Sequence, residues 1–408
     1  MRLPFTAKPA YAPPPIRRRP SLDFSLVGLV YCCMMMFMGL AAINSGANLL
    51  YGVFGLMIGV LILAAILSKR VLRKLTVHRV LPDHAIVGVP SRIVYQFANA
   101  KRFYPSLSVT VSEIDAADGF TKQPQAYMLH AAAGMTASVP TEVIPRRRGL
   151  HQLDRFQIST SFPFGFIKRA LTDRQKDHLL VYPTIGSVDR AVLNMCRAAD
   201  KTGAMMRPRQ GGQDEFYGVK EHRPGESPRH IYWKRSARTA ATGVLVAREM
   251  TQVAPPRLLL LVDTWVSDQS APKVAGVERS VAMAATLADC AIEQDLSVGM
   301  LAWSDGWKYL EPSRGKRHRG DLLSALARLP LQTIASTSQL MDEGLRYIRD
   351  GATAVLLTPQ ALPAGIDTRQ RGAVVVLPSD DPQIRRWFTF EARVDFMTCS
   401  PAVESKVK

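Results

Sequence analysis

Between Asp23 and Lys69 the chain runs for 45 residues without a charged side chain. A helix rises about 1.5 Å per residue and a bilayer's hydrocarbon core is about 30 Å thick, so one span takes roughly 20 residues. The run is twice too long for one span and fits two. Asn44-Ser-Gly-Ala-Asn48 stands near its middle, and turn residues there reverse the chain where backbone polar groups regain water. The expectation is a transmembrane hairpin with helices over about Leu26–Ile43 and Leu49–Leu67. Arg17, Arg18 and Arg19 precede it, Lys69, Arg70, Arg73 and Lys74 follow it, and the central turn is uncharged. Positive charge favours the cytoplasmic side, which predicts that both termini and the main domains are cytoplasmic. A basic start before an apolar stretch also fits a signal peptide, but a second span stopped by Lys69 and Arg70 keeps the remainder inside either way. Met34, Met35 and Met36 read as apolar filler rather than copper ligands. Residues 1–23, with Pro13-Pro14-Pro15, read as a disordered cytoplasmic tail.

The chain's 408 residues leave room for two or three domains. At 47% hydrophobic and 21% charged it is neither disordered nor fibrous. Its formal net charge of +18 suits an anionic partner. Much of that excess flanks the spans, where lipid headgroups account for it, so the bilayer is the expected partner and no specific nucleic acid is implied. The five cysteines form no CxxC pair, which argues against a disulfide scaffold or a zinc module.

Over residues 71–190 short apolar stretches alternate with turns. Ala85–Val89, Arg92–Phe97 and Leu107–Val111 have strand patterns, punctuated by Asp118-Gly119, Gly134 and Arg148-Gly149. The expectation is a small β-sandwich-like domain. Ser161-Phe-Pro-Phe-Gly-Phe166 reads as an aromatic corner packed into the sheets. Arg146, Arg147 and Arg148 read as a solvated charge run.

Residues 191–256 contain the densest grouping of Arg, Lys, Glu and Trp. An extended segment over Glu215–His222 leads to Pro224-Gly225, which suits the middle of a type II turn. Ser227-Pro228 then reads as a helix start, with a helix from Pro228 to about Ala237 that places Arg229 beside Trp233. Val244–Glu249 resumes as a strand. The candidate partner- or ligand-binding residues are Glu221, Arg223, Arg229, Trp233, Lys234, Arg238, Arg248 and Glu249. Cations here can converge on a phosphate or an acidic protein surface. Interleaved with Glu221, Glu226 and Glu249, they more simply staple a turn-helix-strand corner. His222 and His230 match no usual zinc spacing.

This stretch resembles the signature of a bacterial family known only as domain of unknown function fifty-eight. The matching residues are Glu215, Phe216, Glu221, Pro224, Gly225, Arg229, Ile231, Trp233, Ser236, Ala237, Arg238, Arg248 and Glu249; Lys220, His222 and Glu226 stand where the family has Arg, an aromatic and Asp. The upstream Arg148-Gly149 and Ser161–Gly165 elements and the two spans complete the likeness, which covers most of residues 25–310. Members often accompany MoxR-type AAA+ ATPases, von Willebrand factor A proteins and transglutaminase-like proteins. By association, the resemblance implies a role in assembly or maturation of complexes at the cell envelope, from the bacterial inner membrane.

Residues 257–400 alternate strands and helices, the pattern of a doubly wound α/β domain. Strands are expected at Arg257–Asp263, Ser297–Trp303, Ala352–Thr358 and Ala373–Leu377. Helical stretches are expected through Val277, Val281, Ala284, Ala288 and Ala291, at about Asp321–Arg328, and at Ser338–Arg349. A first strand ending in Asp resembles the von Willebrand factor A fold, whose metal loop reads Asp-x-Ser-x-Ser. Asp263 and Ser267 match that loop, but Trp265 occupies the first serine position, and magnesium wants oxygen donors. The later loop, Thr358-Pro-Gln360, offers no carboxylate. The expectation is therefore no cofactor, with a divalent cation such as Mg2+ at Asp263 and Ser267 as the alternative.

No nucleophile elbow, phosphate-binding GxxxxGK[ST] loop or HExxH motif is present in the sequence. The expected function is therefore not enzymatic: a membrane-anchored cytoplasmic scaffold or accessory protein that binds protein partners, a MoxR-type ATPase among them. The alternative is a metal-dependent binder or enzyme using Asp263 and Ser267.

Overall fold

The computed structural model describes residues 19–116, 118–203, 209–223, 227–238, 243–252, 257–268, 270–348, 352–361, 374–390 and 396. The chain divides into two compact units, one running to Tyr182 and the other from Pro183 to Ser400.

The uncharged run of the first unit forms two helices, α1 (Leu26–Ser45) and α2 (Asn48–Leu72). Gly46 ends α1 in the left-handed region at φ 62°, where a side chain would be strained, and its N–H bonds the Ala42 carbonyl. The helices pair closely. The Tyr31 hydroxyl donates to the Met57 carbonyl at 3.0 Å, and a Cβ at Gly39 would meet the Phe54 ring at 2.9 Å. Both helices are long and apolar enough to cross a membrane. In their most apolar stretches only 17% and 6% of residues are buried within the protein, unlike the core helices of a soluble fold. α2 continues five residues beyond the expected Leu67, through Lys69 and Arg70 to Leu72.

The strands of this unit are β1 (Arg19–Phe24), β2 (Leu75–Val80), β3 (Ala85–Ile86), β4 (Ser91–Asn99), β5 (Ser106–Glu113), β6 (Gln125–Ala131), β7 (Thr136–Val143), β8 (Gly149–Thr160) and β9 (Ile167–Tyr182). One sheet has the order β1-β9-β8-β5-β6 with β3 beside β9, and the other is β2-β4-β7. Residues 19–23, read as part of a disordered tail, instead pair with β9 from Arg19–Thr172 to Phe24–Ile167. The proline-rich composition obscured this strand, which covers an edge of β9 that would otherwise stand open. The expected strand at Ala85–Val89 shrinks to the two residues of β3.

A buried arginine ties the two sheets together. Strand alternation turns Leu75, Val77 and Arg79 of β2 inward. From β2, Arg79 reaches Glu113 of β5 at 2.6 Å, Asp177 of β9 at 3.0 Å, and the main-chain carbonyls of Leu153 and Gln175. Tyr95 of β4 donates to the same Glu113 carboxylate at 2.7 Å. Arg79, Tyr95 and Glu113 are all fully buried. Burial pushes the Glu113 carboxyl up, while Arg79 and Tyr95 hold it down. Burial, with Glu113 beside it, pushes the Tyr95 hydroxyl up.

The second unit comprises β10 (Ser187–Val188), α3 (Arg190–Gly203), β11 (Arg209–Glu221), a 3-10 turn at Pro228–His230, α4 (Trp233–Ser236), β12 (Val246–Gln252), β13 (Arg257–Val262), α5 (Ala271–Glu293), β14 (Ser297–Trp303), β15 (Trp307–Ser313), α6 (Lys316–Ala327), α7 (Thr337–Ile348), β16 (Ala352–Thr358), β17 (Val374–Pro378), α8 (Pro382–Trp387) and β18 (Phe388–Thr389). Its main sheet has the order β15-β14-β13-β16-β17, parallel except for β15. The four strands expected from the sequence are present. β15 was not expected: it returns antiparallel from β14, with Trp303 facing Trp307 across the three-residue loop Ser304-Asp305-Gly306, in which Asp305 and Gly306 are at positive φ. The continuous apolar run of β13, Leu258–Val262, is buried, as a central parallel strand requires.

Removing Arg79 leaves Glu113 buried without its cation. Arg79→Met is expected to cost about 3–5 kcal/mol of stability. The double variant Arg79→Met with Glu113→Leu should recover part of it, because no charge is then stranded. Thermal melts of the full chain in detergent check this order; equal losses in the single and double variants would contradict it.

Candidate functional site

The signature region folds as a hairpin with a corner laid across it. β11 and β12 pair antiparallel, with irregularities between Gln210 and Glu215 and between Phe216 and Gly218. The Pro224-Gly225 turn lies outside the described residues. Pro228 does open a helical turn, preceded by Ser227, whose side chain makes no capping bond. The expected helix from Pro228 to Ala237 is instead broken in two. Ile231 turns extended and bridges Ala247 of β12, and both are buried. The Tyr232 N–H then donates to the Val246 carbonyl at 2.7 Å. Ser236 closes the corner: its hydroxyl accepts from the Val246 N–H at 2.9 Å and donates to the Val246 carbonyl at 3.3 Å. Burial of Ile231 against the hairpin outweighs the helical continuity that the sequence pattern favoured.

This break changes the partners. Arg229 sits in the 3-10 turn and Trp233 starts α4, so the two do not share one helix face. The guanidinium over an aromatic ring is Arg248 over Tyr232, at 4.4 Å. Tyr232 was missed because its role depends on the chain reversing at Ile231. Glu221, Arg223, Arg229, Lys234, Arg238 and Arg248 are exposed, and Trp233 is 64% exposed. Glu226 and the Glu249 side chain, two members of the expected ion-pair staple, lie outside the described residues. Main-chain and serine hydroxyl bonds contribute to holding the corner.

A second cluster lies at the carboxyl end of the parallel sheet. β13 passes through α5 to β14 on one side, while β16 flanks it on the other, so the crevice beyond β13 and β16 is a topological switch point. Asp263, directly after β13, is only 2% exposed. Its carboxylate accepts from the Thr337 hydroxyl at 2.6 Å, the Thr358 hydroxyl at 3.3 Å and the Trp265 N–H at 2.9 Å. Burial pushes its pKa up, and these three donors oppose the shift. Ser267 accepts from the Lys273 ammonium at 2.5 Å, and Lys273 also bonds Asp268 at 2.6 Å. The structure thus sets Asp263 among hydroxyls and gives Ser267 a lysine. Among the described residues no three His, Cys, Asp or Glu side chains gather as a metal-holding group. Thr337 escaped sequence reasoning because it comes from the start of α7, 74 residues away; the run Ser336-Thr337-Ser338 before a helix was its only local signal.

Because its pKa is raised in the folded chain, Asp263 takes up a proton there before it does in the unfolded chain. Its contribution to stability is full below the usual carboxylate value of about 3.9 and falls as pH rises through the folded value. Asp263→Asn removes that slope. Melting temperature against pH should therefore fall less steeply above pH 4 in the variant than in the parent; parallel curves would refute the assignment.

Comparison with curated proteins finds no match. Among solved structures, a GH20 exo-β-N-acetylglucosaminidase from Vibrio harveyi in complex with N-acetylglucosamine aligns at a TM-score of 0.15 and 9% identity, over 69% of this chain and 57% of that one. A likeness of that size says nothing of fold or activity. The chain thus spans a little over half the length of that structure. Residues 218–380, from the end of β11 through β17, match the family described as protein of unknown function DUF58.

Proposed function

We propose that the chain is a membrane-anchored scaffold or accessory protein of the bacterial inner membrane. In this reading α1 and α2 cross the bilayer, and both termini and both units are cytoplasmic. Basic residues at both outer ends of the helix pair and the uncharged reversal at Gly46 support this orientation. The five-stranded unit is read as von Willebrand factor A-like, on the strength of its central first strand ending in Asp263. The partner surface is the signature corner, and the partner is a MoxR-type AAA+ ATPase acting in assembly or maturation of envelope complexes.

The observation that carries this reading is Trp233. Its indole is 64% exposed on a four-residue helix and is followed by Lys234 and Arg235. Exposed Trp and Arg together are the residue types that dominate protein interfaces. A photoreactive residue placed at Lys234 in intact cells should crosslink to a cytoplasmic AAA+ ATPase. Trp233→Ala should lower the yield at least about tenfold, as loss of an interface anchor does. Crosslinks only to proteins on the far side of the membrane, or yields untouched by Trp233→Ala, would sink the proposal.

A second reading rests on Asp263, a buried carboxylate at a switch-point crevice beside two threonine hydroxyls. There Asp263 and Ser267 would hold a divalent cation such as Mg2+, which would supply a positive charge for a metal-dependent binder or enzyme. This reading predicts that Mg2+ or Mn2+ raises the melting temperature and that Asp263→Ala abolishes the rise; no shift with either ion would remove it.

A further inference from the structure

Two segments of the first unit grip the open end of the helix pair, and both carry exposed aromatic side chains. At the start of α1, the Ser25 hydroxyl donates to the Gly165 carbonyl at 2.6 Å and its N–H donates to the Phe166 carbonyl at 3.1 Å. Phe166 stacks on Tyr31 at 4.2 Å, and Phe164 stacks on Phe166 at 5.6 Å while remaining 49% exposed. At the end of α2, the Lys101 ammonium donates to the Val71 carbonyl at 2.7 Å and the Arg70 carbonyl at 3.2 Å. Beside it the Arg70 guanidinium lies over Tyr104 at 5.5 Å, and Arg102 lies over Phe103 at 5.2 Å. Phe103 is 75% exposed.

These contacts fix the depth of the aromatics. The apolar part of α2 up to Leu67 is about 28 Å long, close to one hydrocarbon thickness. Arg70 therefore stands at headgroup depth, and Tyr104, which touches it, stands there too. Phe166 touches Tyr31, in the second turn of α1, and so lies at the same boundary. Aromatic rings beside guanidinium groups are the composition of a membrane interface, where the ring meets acyl chains and the cation meets phosphate.

We propose that the 102–104 loop and the 162–166 corner form a collar seated in the interfacial layer of the bilayer that α1 and α2 cross. The collar holds the β unit against the lipid in one orientation. Its partner is the lipid surface itself, with anionic headgroups favoured by Arg70, Arg73, Lys74 and Arg102. The inference rests on the reading that both helices are spans.

The test adds one tryptophan at a time to the full chain, reconstituted in vesicles of phosphatidylcholine and phosphatidylglycerol with brominated acyl chains. Phe103→Trp and Phe164→Trp exchange one aromatic for another and preserve the fold. Lys122→Trp reports an exposed site beyond the end of β5, next to Gln123, which bonds the Glu113 carbonyl; the 102–104 loop precedes the other end of that strand, roughly 25 Å along it. Phe37→Trp reports the middle of α1. With bromine placed close to the headgroup, the added emission of the two collar tryptophans should be largely lost and that of Lys122→Trp kept. With bromine near mid-chain, Phe37→Trp should be quenched. If Phe37→Trp is quenched and the collar positions behave like Lys122→Trp, the spans stand and the collar is wrong. If Phe37→Trp is not quenched, the spans fail and the collar fails with them.

Discussion

The termination of α2 governs much of the first unit. The end of α2 leaves carbonyls without intrahelical partners, and burial of Val71 and Leu72 keeps water from them. Here Lys101 and Ser106 reach back to the Val71 carbonyl at 2.7 and 3.0 Å, and Lys101 adds Arg70. Lys101 is 8% exposed and bonds Ser106 at 2.7 Å, so the charge is surrounded by acceptors even though burial lowers its pKa. One side chain thus closes the helix and fixes where β5 begins. The other end of the pair is treated in the same way. Ser25 caps α1 by accepting from the Gly28 N–H while it donates to Gly165. A Cβ at Gly28 would meet the Phe166 carbonyl oxygen at 2.1 Å, so only glycine allows the corner to approach the helix. The helices are built into the β unit rather than tethered to it.

Arg79 performs the corresponding task between the sheets. A buried guanidinium is costly unless its donors are used, and Arg79 uses its own on two carboxylates and two carbonyls. Because those partners sit on β5, β8 and β9, the contact also sets how the smaller sheet lies on the larger one. Surface ion pairs in the same unit, such as Arg155 with Asp115 at 2.7 Å, are half in solvent and stabilise far less.

What was legible in the sequence follows from which signals are local. The spans, the alternating strands and the buried parallel strands each arise from periodicity or uncharged length. The helix pair accordingly begins at Leu26 as expected, and β13, β14 and β16 fall within a residue of their expected bounds. Signals that depend on distant residues were not legible. Nothing around Arg79 reveals a core arginine until Glu113 and Asp177 are brought to it. The tail strand β1 depends on β9, some 145 residues away, needing an edge partner. Ile231 looked helical because its bridge to Ala247 is invisible in a local window. The aromatic corner at 161–166 was read as core packing, which describes Phe166 but not the exposed Phe164.

The two clusters of the second unit differ in a way that bears on function. Asp263 is turned inward, and each carboxylate oxygen has a donor from the protein itself. A group so satisfied organises the ends of β13, β16 and α7, and a ligand gains from it only by displacing bonds already made. The signature corner is built the opposite way. Its buried members, Ile231, Ala247 and Ser236, hold the fold, while Trp233 is 64% exposed. Trp233 left exposed keeps apolar area in water. The corner therefore differs from the Asp263 cluster in keeping its largest side chain, Trp233, at the surface.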